Sequence, residues 1–126
     1  MDVDAMPKEI FSIPSLQFRV FQAEGGGFDW HGTYEGMKVV AAQPFEGNSR
    51  CLILLDPDAS QKSYFENLLC VDASGKVLWR AQPPQSSNDA FVAIRMTGEL
   101  YANTWSGYRV RIDLETGRTV ELQFVK

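Results

Sequence analysis

His31 is the only histidine in the chain and the residue best suited to acid–base chemistry. Asp29 precedes it by two positions, so in a strand both side chains point to one side and the carboxylate can orient the imidazole. The sequence contains no G-x-S-x-G nucleophile elbow, and Trp30 and Gly32 beside the histidine are typical of strand and turn packing. We therefore expect no catalytic residues and interpret the chain as a non-enzyme.

Three further patterns are incomplete as ligand sites. One histidine with Cys51 and Cys70, nineteen positions apart, cannot supply four zinc ligands. Residues 56–61 begin like a calcium loop but lack the required glycine and bidentate glutamate. The GGGF run at residues 25–28 is followed by no Lys-Ser or Lys-Thr pair and no helix start, which favours a hairpin connection. We expect no metal and no cofactor, and because both cysteines lie in apolar runs we expect buried, reduced thiols.

Aromatic and arginine side chains cluster near the C-terminus, and these are the residue types enriched in protein interfaces. The candidate interaction surface consists of Arg95, Tyr101, Trp105, Tyr108, Arg109 and Arg111. In the alternative interpretation, the aromatic rings fill the core and the arginines are simply solvated.

One segment occurs twice in altered form. VDASGKVLW at residues 71–79 is repeated as IDLETGRTV at residues 112–120, with Asp72 and Asp113 41 positions apart. This interval is the blade period of a β-propeller. In each copy an apolar strand ends at the aspartate, turns through a glycine and leaves on a basic residue, which is hairpin chemistry.

The first copy resembles the blade-ending motif of quinoprotein-type β-propellers. The matching residues are Asp72, Ser74, Gly75, Lys76 and Trp79, and the second copy keeps Asp113, Thr116, Gly117 and Arg118. Glu121 stands where the second tryptophan would fall. The C-terminal part also looks like small stand-alone bacterial β proteins. The resemblance implies blade-like hairpins and brings no cofactor residues, and 126 residues are too few for a complete ring of blades.

Short apolar or alternating runs predict an all-β antiparallel meander of about ten strands. The predicted strands are 16–23, 28–33, 37–42, 50–55, 67–72, 76–81, 91–95, 99–104, 108–113 and 118–125. Residues 1–15 carry two prolines and no clear period, which indicates an N-terminal arm with one helical turn after Pro7, before a single β domain at 16–126. The strands form either propeller-blade-like sheets of an incomplete propeller or a closed or partly open barrel.

Two strand patterns make finer predictions. Residues 50–55 and 67–72 are apolar at consecutive positions, so both faces of these strands must be covered. In the last hairpin, alternation predicts Tyr108 opposite Phe124, Val110 opposite Leu122 and Ile112 opposite Val120 on the core side, with Arg111 facing Glu121 on the solvent side. One residue is left over in the turn, which predicts a bulge and a positive φ at Gly117.

The composition limits the classes of function that the protein can have. An apolar fraction of 44% and an aromatic content of 12% are typical of a globular protein. The net charge is −4, and residues 1–63 hold nine acidic and five basic groups. An acidic chain without a basic run is a poor nucleic-acid binder, and no stretch is apolar and long enough to span a membrane. Without a recognisable signal peptide, a cytoplasmic location is expected.

A non-catalytic protein-interaction module follows from these observations, for example an inhibitor or immunity-type protein whose acidic half engages a basic partner. The alternative is a β-barrel carrier of a small ligand. The last strand, with one charge between Glu121 and Val125 and no proline, is poorly protected against edge pairing. We expect either that the terminal strands pair with each other or that the last strand forms a two-fold homodimer.

Overall fold

The computed structural model of the protein describes residues 8–85 and 88–125, which form twelve β-strands in three separate sheets. All the pairings between these strands are antiparallel. The predicted all-β antiparallel meander is confirmed. Of the two architectures left open by the sequence, the described residues form the blade-like one, since the sheets are open and follow one another along the chain.

The first sheet corrects the predicted N-terminal arm. It contains β1 (Lys8–Ile13), β2 (Phe18–Gln22) and β3 (Phe28–His31), in that order. Residues 8–13 are thus a strand, because Phe11 and Ile13 pack into the core while the backbone pairs with β2. A short 3-10 turn at Pro14–Leu16 joins the first two strands. The helical turn predicted after Pro7 is absent from residue 8 onwards, and residues 1–7 lie outside the described part.

The second sheet is the middle layer. Its strands are β4 (Thr33–Tyr34), β5 (Met37–Phe45), β6 (Arg50–Leu55), β7 (Leu68–Asp72) and β8 (Val77–Arg80), in sequence order. Alternate residues of β6 and β7 enter two different apolar cores, one shared with the first sheet and one shared with the third. The prediction that both faces of these strands are covered is confirmed.

The third sheet ends the described chain. It contains β9 (Phe91–Met96), β10 (Leu100–Thr104), β11 (Tyr108–Ile112) and β12 (Thr119–Phe124), again a simple meander. Its inner face packs on the second sheet through buried residues of β9, β10 and β11, among them Phe91, Leu100 and Val110. By contrast, every residue of β12 is exposed.

Both cysteines are buried and free, as predicted. Cys51 lies in the core next to the first sheet and Cys70 in the core next to the third, so the two thiols occupy opposite faces of the second sheet. Burial raises the pKa of Cys51 to about 12 and that of Cys70 to about 11. Both side chains are therefore protonated, apolar packing groups at neutral pH.

A buried asparagine links the second and third sheets. The amide nitrogen of Asn67 donates to the carbonyl oxygens of Leu55 (2.8 Å) and Phe91 (2.7 Å), and its side-chain oxygen accepts from the Phe91 N–H (2.8 Å). The asparagine is fully buried. The Asn67 side chain thus makes the hydrogen bonds that a neighbouring strand would otherwise make with the backbone at the start of β9, where the chain passes from one sheet to the next.

The two copies of the repeated segment meet at the same interface. Trp79 of the first copy is only 7% exposed and its indole N–H donates to the Leu114 carbonyl oxygen at 2.8 Å. Its ring lies against Gly117 of the second copy, where an added Cβ would come within 2.5 Å of the ring. The predicted positive φ of Gly117 is confirmed at 75°. The glycine is therefore required both by the turn and by the docked tryptophan.

The register of the last hairpin agrees with the prediction except at its turn end. Tyr108 pairs with Phe124, Val110 with Leu122 and Arg111 with Glu121. Ile112 pairs with Thr119 and not with Val120, because the predicted bulge falls between Arg111 and Ile112. The aromatic pair Tyr108 and Phe124 is in contact, with ring centroids 5.2 Å apart in an edge-to-face arrangement typical of aromatic neighbours.

The terminal strands of the described chain do not pair with each other. The first predicted strand is β2, and both of its edges are already paired, with β1 and β3. Within residues 8–85 and 88–125, β12 pairs with β11 alone. Of the two alternatives, closure is therefore not found among the described strands, because β1, which the sequence did not reveal, occupies the edge of β2. β12 is left as an open edge of the described chain.

We expect the first repeated turn to make stability depend on pH. Asp72 Oδ1 accepts hydrogen bonds from the Ser74 hydroxyl (2.6 Å), the Ser74 N–H (2.9 Å) and the Lys76 N–H (3.0 Å). These bonds, the Ser74 hydroxyl first, lower the pKa of Asp72. A lowered pKa stabilises the fold above the unfolded value of about 3.9, and this contribution is lost as the pH falls.

The test compares melting temperatures of the parent and Asp72→Asn at pH 7 and pH 3. At pH 7 the parent should have a higher melting temperature than Asp72→Asn, and this difference should be smaller at pH 3. Asp113→Asn is a matched control, since among the described residues the Asp113 carboxylate accepts a hydrogen bond from the Glu115 N–H alone. A gap that is equally large at both pH values would contradict this role of the carboxylate.

Candidate interaction surface on the third sheet

Four of the six residues predicted to form an interaction surface lie together. Tyr101 on β10 pairs with Arg95 on β9 and with Arg111 on β11, and Arg109 lies two residues further along β11, opposite Asn103. Their side chains alternate with buried residues of the same strands, so they point away from the second sheet. We call these five residues the outer face of the third sheet. All of these residues except Arg111 line a shallow depression of about 460 Å³.

The charges on this face are unequally paired. Arg111 contacts Glu99 at 3.4 Å on one side and Glu121 at 3.7 Å on the other. Arg95 and Arg109 are exposed and take part in none of the ion pairs formed among the described residues. Two unmatched cations therefore lie on either side of Tyr101.

Tyr101 is held as a neutral phenol. Its hydroxyl donates to Glu99 at 3.1 Å, and this hydrogen bond is the main reason that its pKa is raised. The phenol group and Arg111 share the same glutamate, which fixes the ring on the sheet surface. The ring offers a flat contact area between the two free guanidinium groups, a combination common at binding surfaces.

The other two predicted residues lie elsewhere. Tyr108 lies two residues before Val110 on β11, so its side chain points to the same inner side. It contacts Phe124 there and does not belong to the outer face. Trp105 lies in the turn between β10 and β11 and is 72% exposed. It borders a separate cleft of about 180 Å³ that includes Phe65 and Ala90. The sequence placed all six residues in one cluster, whereas the fold divides them among three places.

A buried carboxylate that sequence reasoning missed anchors the turn carrying Trp105. Asp89 is almost completely buried and accepts hydrogen bonds from the Ser106 N–H (3.1 Å) and hydroxyl (2.8 Å). It also accepts from the N–H groups of Gln85 and Ala90. The Pro- and Ser-rich composition of this loop predicted irregular structure but gave no sign that one of its side chains fixes a distant turn.

The edge of the third sheet is apolar on its inner side. Leu122 and Phe124 share the inner side of their partners Val110 and Tyr108 but are 49% and 59% exposed, and no residue of β12 belongs to the core shared with the second sheet. Val120, 48% exposed, is the unpaired residue of the bulge. Beneath β12 lies a groove of about 670 Å³ bordered by Leu122, Arg118 and the Pro83–Pro84 segment. The sequence predicted correctly that Leu122 and Phe124 share one face of the strand, but it also placed Val120 in that row and predicted that the core would cover it.

The other candidate residues lie apart from this surface. His31 and Asp29 are exposed on the same side of β3, and the histidine ring contacts Phe21 with the ring centroids 5.0 Å apart. Residues 25–27 form the turn between β2 and β3, as expected. Among the described residues we find neither a cluster of three or more His, Cys, Asp or Glu side chains able to hold a metal ion nor a helix able to span a membrane.

Together these features define a class of all-β protein built from three stacked, blade-like antiparallel sheets with a polar outer face at one end. The chain belongs to the DUF7957 family, a domain of unknown function, whose profile matches residues 37–124. The match covers β5 to β12 and thus the whole third sheet. No curated protein matches the sequence.

One similar solved structure is the crystal structure of BamB from Moraxella catarrhalis. The two chains share 15% sequence identity and superpose with a TM-score of 0.47. The alignment covers 98% of this chain and 36% of that one, so this chain spans about a third of the length of BamB.

Proposed function

We propose that the protein is a non-catalytic interaction module whose third sheet binds an extended, acidic segment of a partner protein. The observation that supports this most strongly is the pair of unmatched arginines, Arg95 and Arg109, on either side of the fixed Tyr101 ring. Complementary charges increase both the encounter rate and the specificity of such binding.

The spacing of the arginines suits an extended chain. Arg95 and Arg109 lie two strands apart and two residues apart along the strands, which places their Cα atoms about 12 Å from each other. Four residues of an extended chain span about 13 Å, and residues i and i+4 point to the same side. Acidic side chains at these positions can reach both arginines while residue i+2 contacts Tyr101.

The acidic N-terminal half is a weaker binding surface for a basic partner. Glu9, Glu35 and Glu46 already form ion pairs with Arg19, Arg80 and Arg50. The carrier alternative also lacks support, because the three sheets of the described chain are open and side chains fill both interfaces between them.

The binding test uses a fluorescein-labelled peptide of alternating Glu and Thr and a matched peptide of alternating Lys and Thr. Fluorescence anisotropy should show binding of the acidic peptide only, weakened by added salt. Arg95→Glu/Arg109→Glu should weaken it at least about tenfold, since each lost charged contact changes affinity several-fold. Lys38→Glu/Lys62→Glu is the matched control, because it alters the net charge equally on two exposed lysines outside the third sheet.

Equal losses in both double variants would mean that only net charge matters and would contradict the proposed surface. Failure of the parent to bind the acidic peptide would contradict the acidic partner. Tighter binding of a single-stranded oligonucleotide of the same charge would favour a nucleic-acid ligand over a protein.

A further inference from the structure

We propose that two copies of the chain pair through β12, antiparallel and about a two-fold axis at Leu122. The pairing would extend the third sheet from four strands to eight. It involves the edge of the sheet and not the outer face, so it is independent of the proposed binding of an acidic segment.

The backbone of β12 is suited to this pairing. The Val125 N–H donates to the Gly107 carbonyl oxygen at 2.9 Å, towards β11. Because backbone groups point to opposite sides at successive residues of an antiparallel strand, Gln123 and Glu121 also direct their N–H and C=O groups towards β11. Those of Phe124 and Leu122 then point to the open edge, where no described strand pairs with them, whereas Val120 lies in the bulge, which interrupts the alternation.

The side chains are self-complementary in one register. With Leu122 opposite its own copy, the two exposed leucine side chains cover each other on the inner side, and Phe124 of each copy lies at the end of the paired segment, beside the Val120 bulge of the other. On the outer side Glu121 lies opposite Gln123, so no like charges meet. In the register centred on Glu121 two glutamates would face each other. These contacts favour a second copy as the occupant of this edge.

The geometry has a consequence for binding. A two-fold axis perpendicular to the sheet leaves both outer faces on the same side, so the dimer would present Arg95, Tyr101 and Arg109 twice. Pairing of six-residue strands buries less than the roughly 1,200 Å² of a stable interface, so we expect a weak, concentration-dependent dimer.

Two proline substitutions test whether the open edge of β12 forms the dimer interface. Leu122→Pro removes an N–H that points to the open edge, whereas Gln123→Pro removes one that pairs with β11. In sedimentation equilibrium of the full chain up to about 1 mM, a concentration that populates even a weak dimer, the parent should show dimer. Leu122→Pro should be a folded monomer by circular dichroism, and Gln123→Pro should show a lower melting temperature.

Two charge substitutions at Gln123 test the register of the proposed pairing. Gln123→Lys places a lysine opposite Glu121 of the second copy twice per dimer, and Gln123→Glu places two like-charge pairs there. We expect the dimer Kd of the lysine variant to be about threefold to tenfold lower than that of the parent. The dimer Kd of the glutamate variant should be higher than that of the parent by a similar factor.

Within one chain these charges act in the opposite direction, because Arg109 lies opposite residue 123. An effect on monomer stability alone would therefore reverse the order of the two variants and overturn the proposal. A parent that stays monomeric up to about 1 mM, or a folded Leu122→Pro variant that still dimerises, would overturn it as well.

Discussion

Replacing Gly117 with alanine is expected to destabilise the protein by about 2–5 kcal/mol. A left-handed backbone costs a residue with a Cβ about 1–2 kcal/mol, and φ at this position is 75°. The new methyl group would also lie 2.5 Å from Cε3 of Trp79, so the ring would have to shift at a cost of about 1–3 kcal/mol. Urea unfolding followed by circular dichroism measures the loss.

Gly98→Ala separates the two contributions. Gly98 also has a positive φ, 90°, but an added Cβ there has no neighbour within 4 Å. We expect Gly98→Ala to lose only the backbone part, about 1–2 kcal/mol. If the two alanine variants unfold at the same urea concentration, Trp79 does not dock on Gly117 as described.

Replacing Asn67 with alanine is expected to cost about 3–5 kcal/mol. The change leaves the Phe91 N–H and the carbonyl oxygens of Phe91 and Leu55 without their side-chain partner, in a fully buried position. Each buried polar group left without a partner costs about 1–3 kcal/mol. Asn103→Ala, an exposed asparagine on β10, should change the free energy of unfolding by less than about 0.5 kcal/mol.

Asn67→Asp tests the hydrogen-bond donors separately from side-chain volume. An ionised carboxylate would face two carbonyl oxygens, so burial and repulsion would raise the pKa of the new aspartate above its unfolded value. The variant should then be least stable, relative to the parent, at neutral pH and should recover as the pH falls towards about 4. A loss that does not change with pH would show that the amide is not required as a donor.

Much of the fold could be predicted from local sequence patterns, because the burial of a strand's two faces is visible in the order of its apolar and polar residues. Alternation fixed the register of β11 and β12 up to the bulge, and the continuous apolar runs of β6 and β7 showed that both faces are covered. The alternation could not show whether β12 has a neighbour beneath it. That depends on how far the second sheet extends, which is a property of the packed layers.

Other features depend on residues that meet only in the folded chain. β1 lacks a clear period and is flanked by Pro7 and Pro14, so its pairing with β2 and the burial of Phe11 and Ile13 decide its structure. The side-chain partners of Asn67 and Asp89 lie up to 24 and 17 positions away. No local pattern marks such partners.

The candidate surface was predictable in part. Residue type identified Arg95, Tyr101, Arg109 and Arg111, and strand pairing then placed them on one face. Tyr108 could have been excluded from sequence alone, since it alternates with Arg109 and shares the parity of Val110. The ion pairs that neutralise Arg111, and leave Arg95 and Arg109 free, required the cross-strand positions of Glu99 and Glu121.

The most direct test of the proposed binding surface is a titration of the ¹⁵N-labelled protein with the alternating Glu and Thr peptide, followed by ¹⁵N–¹H correlation spectra. We expect the largest amide shift changes at Arg95, Tyr101, Asn103 and Arg109, on the outer face of the third sheet. Changes confined to the first sheet or to the cleft beside Trp105, with the third-sheet amides unmoved, would contradict the account.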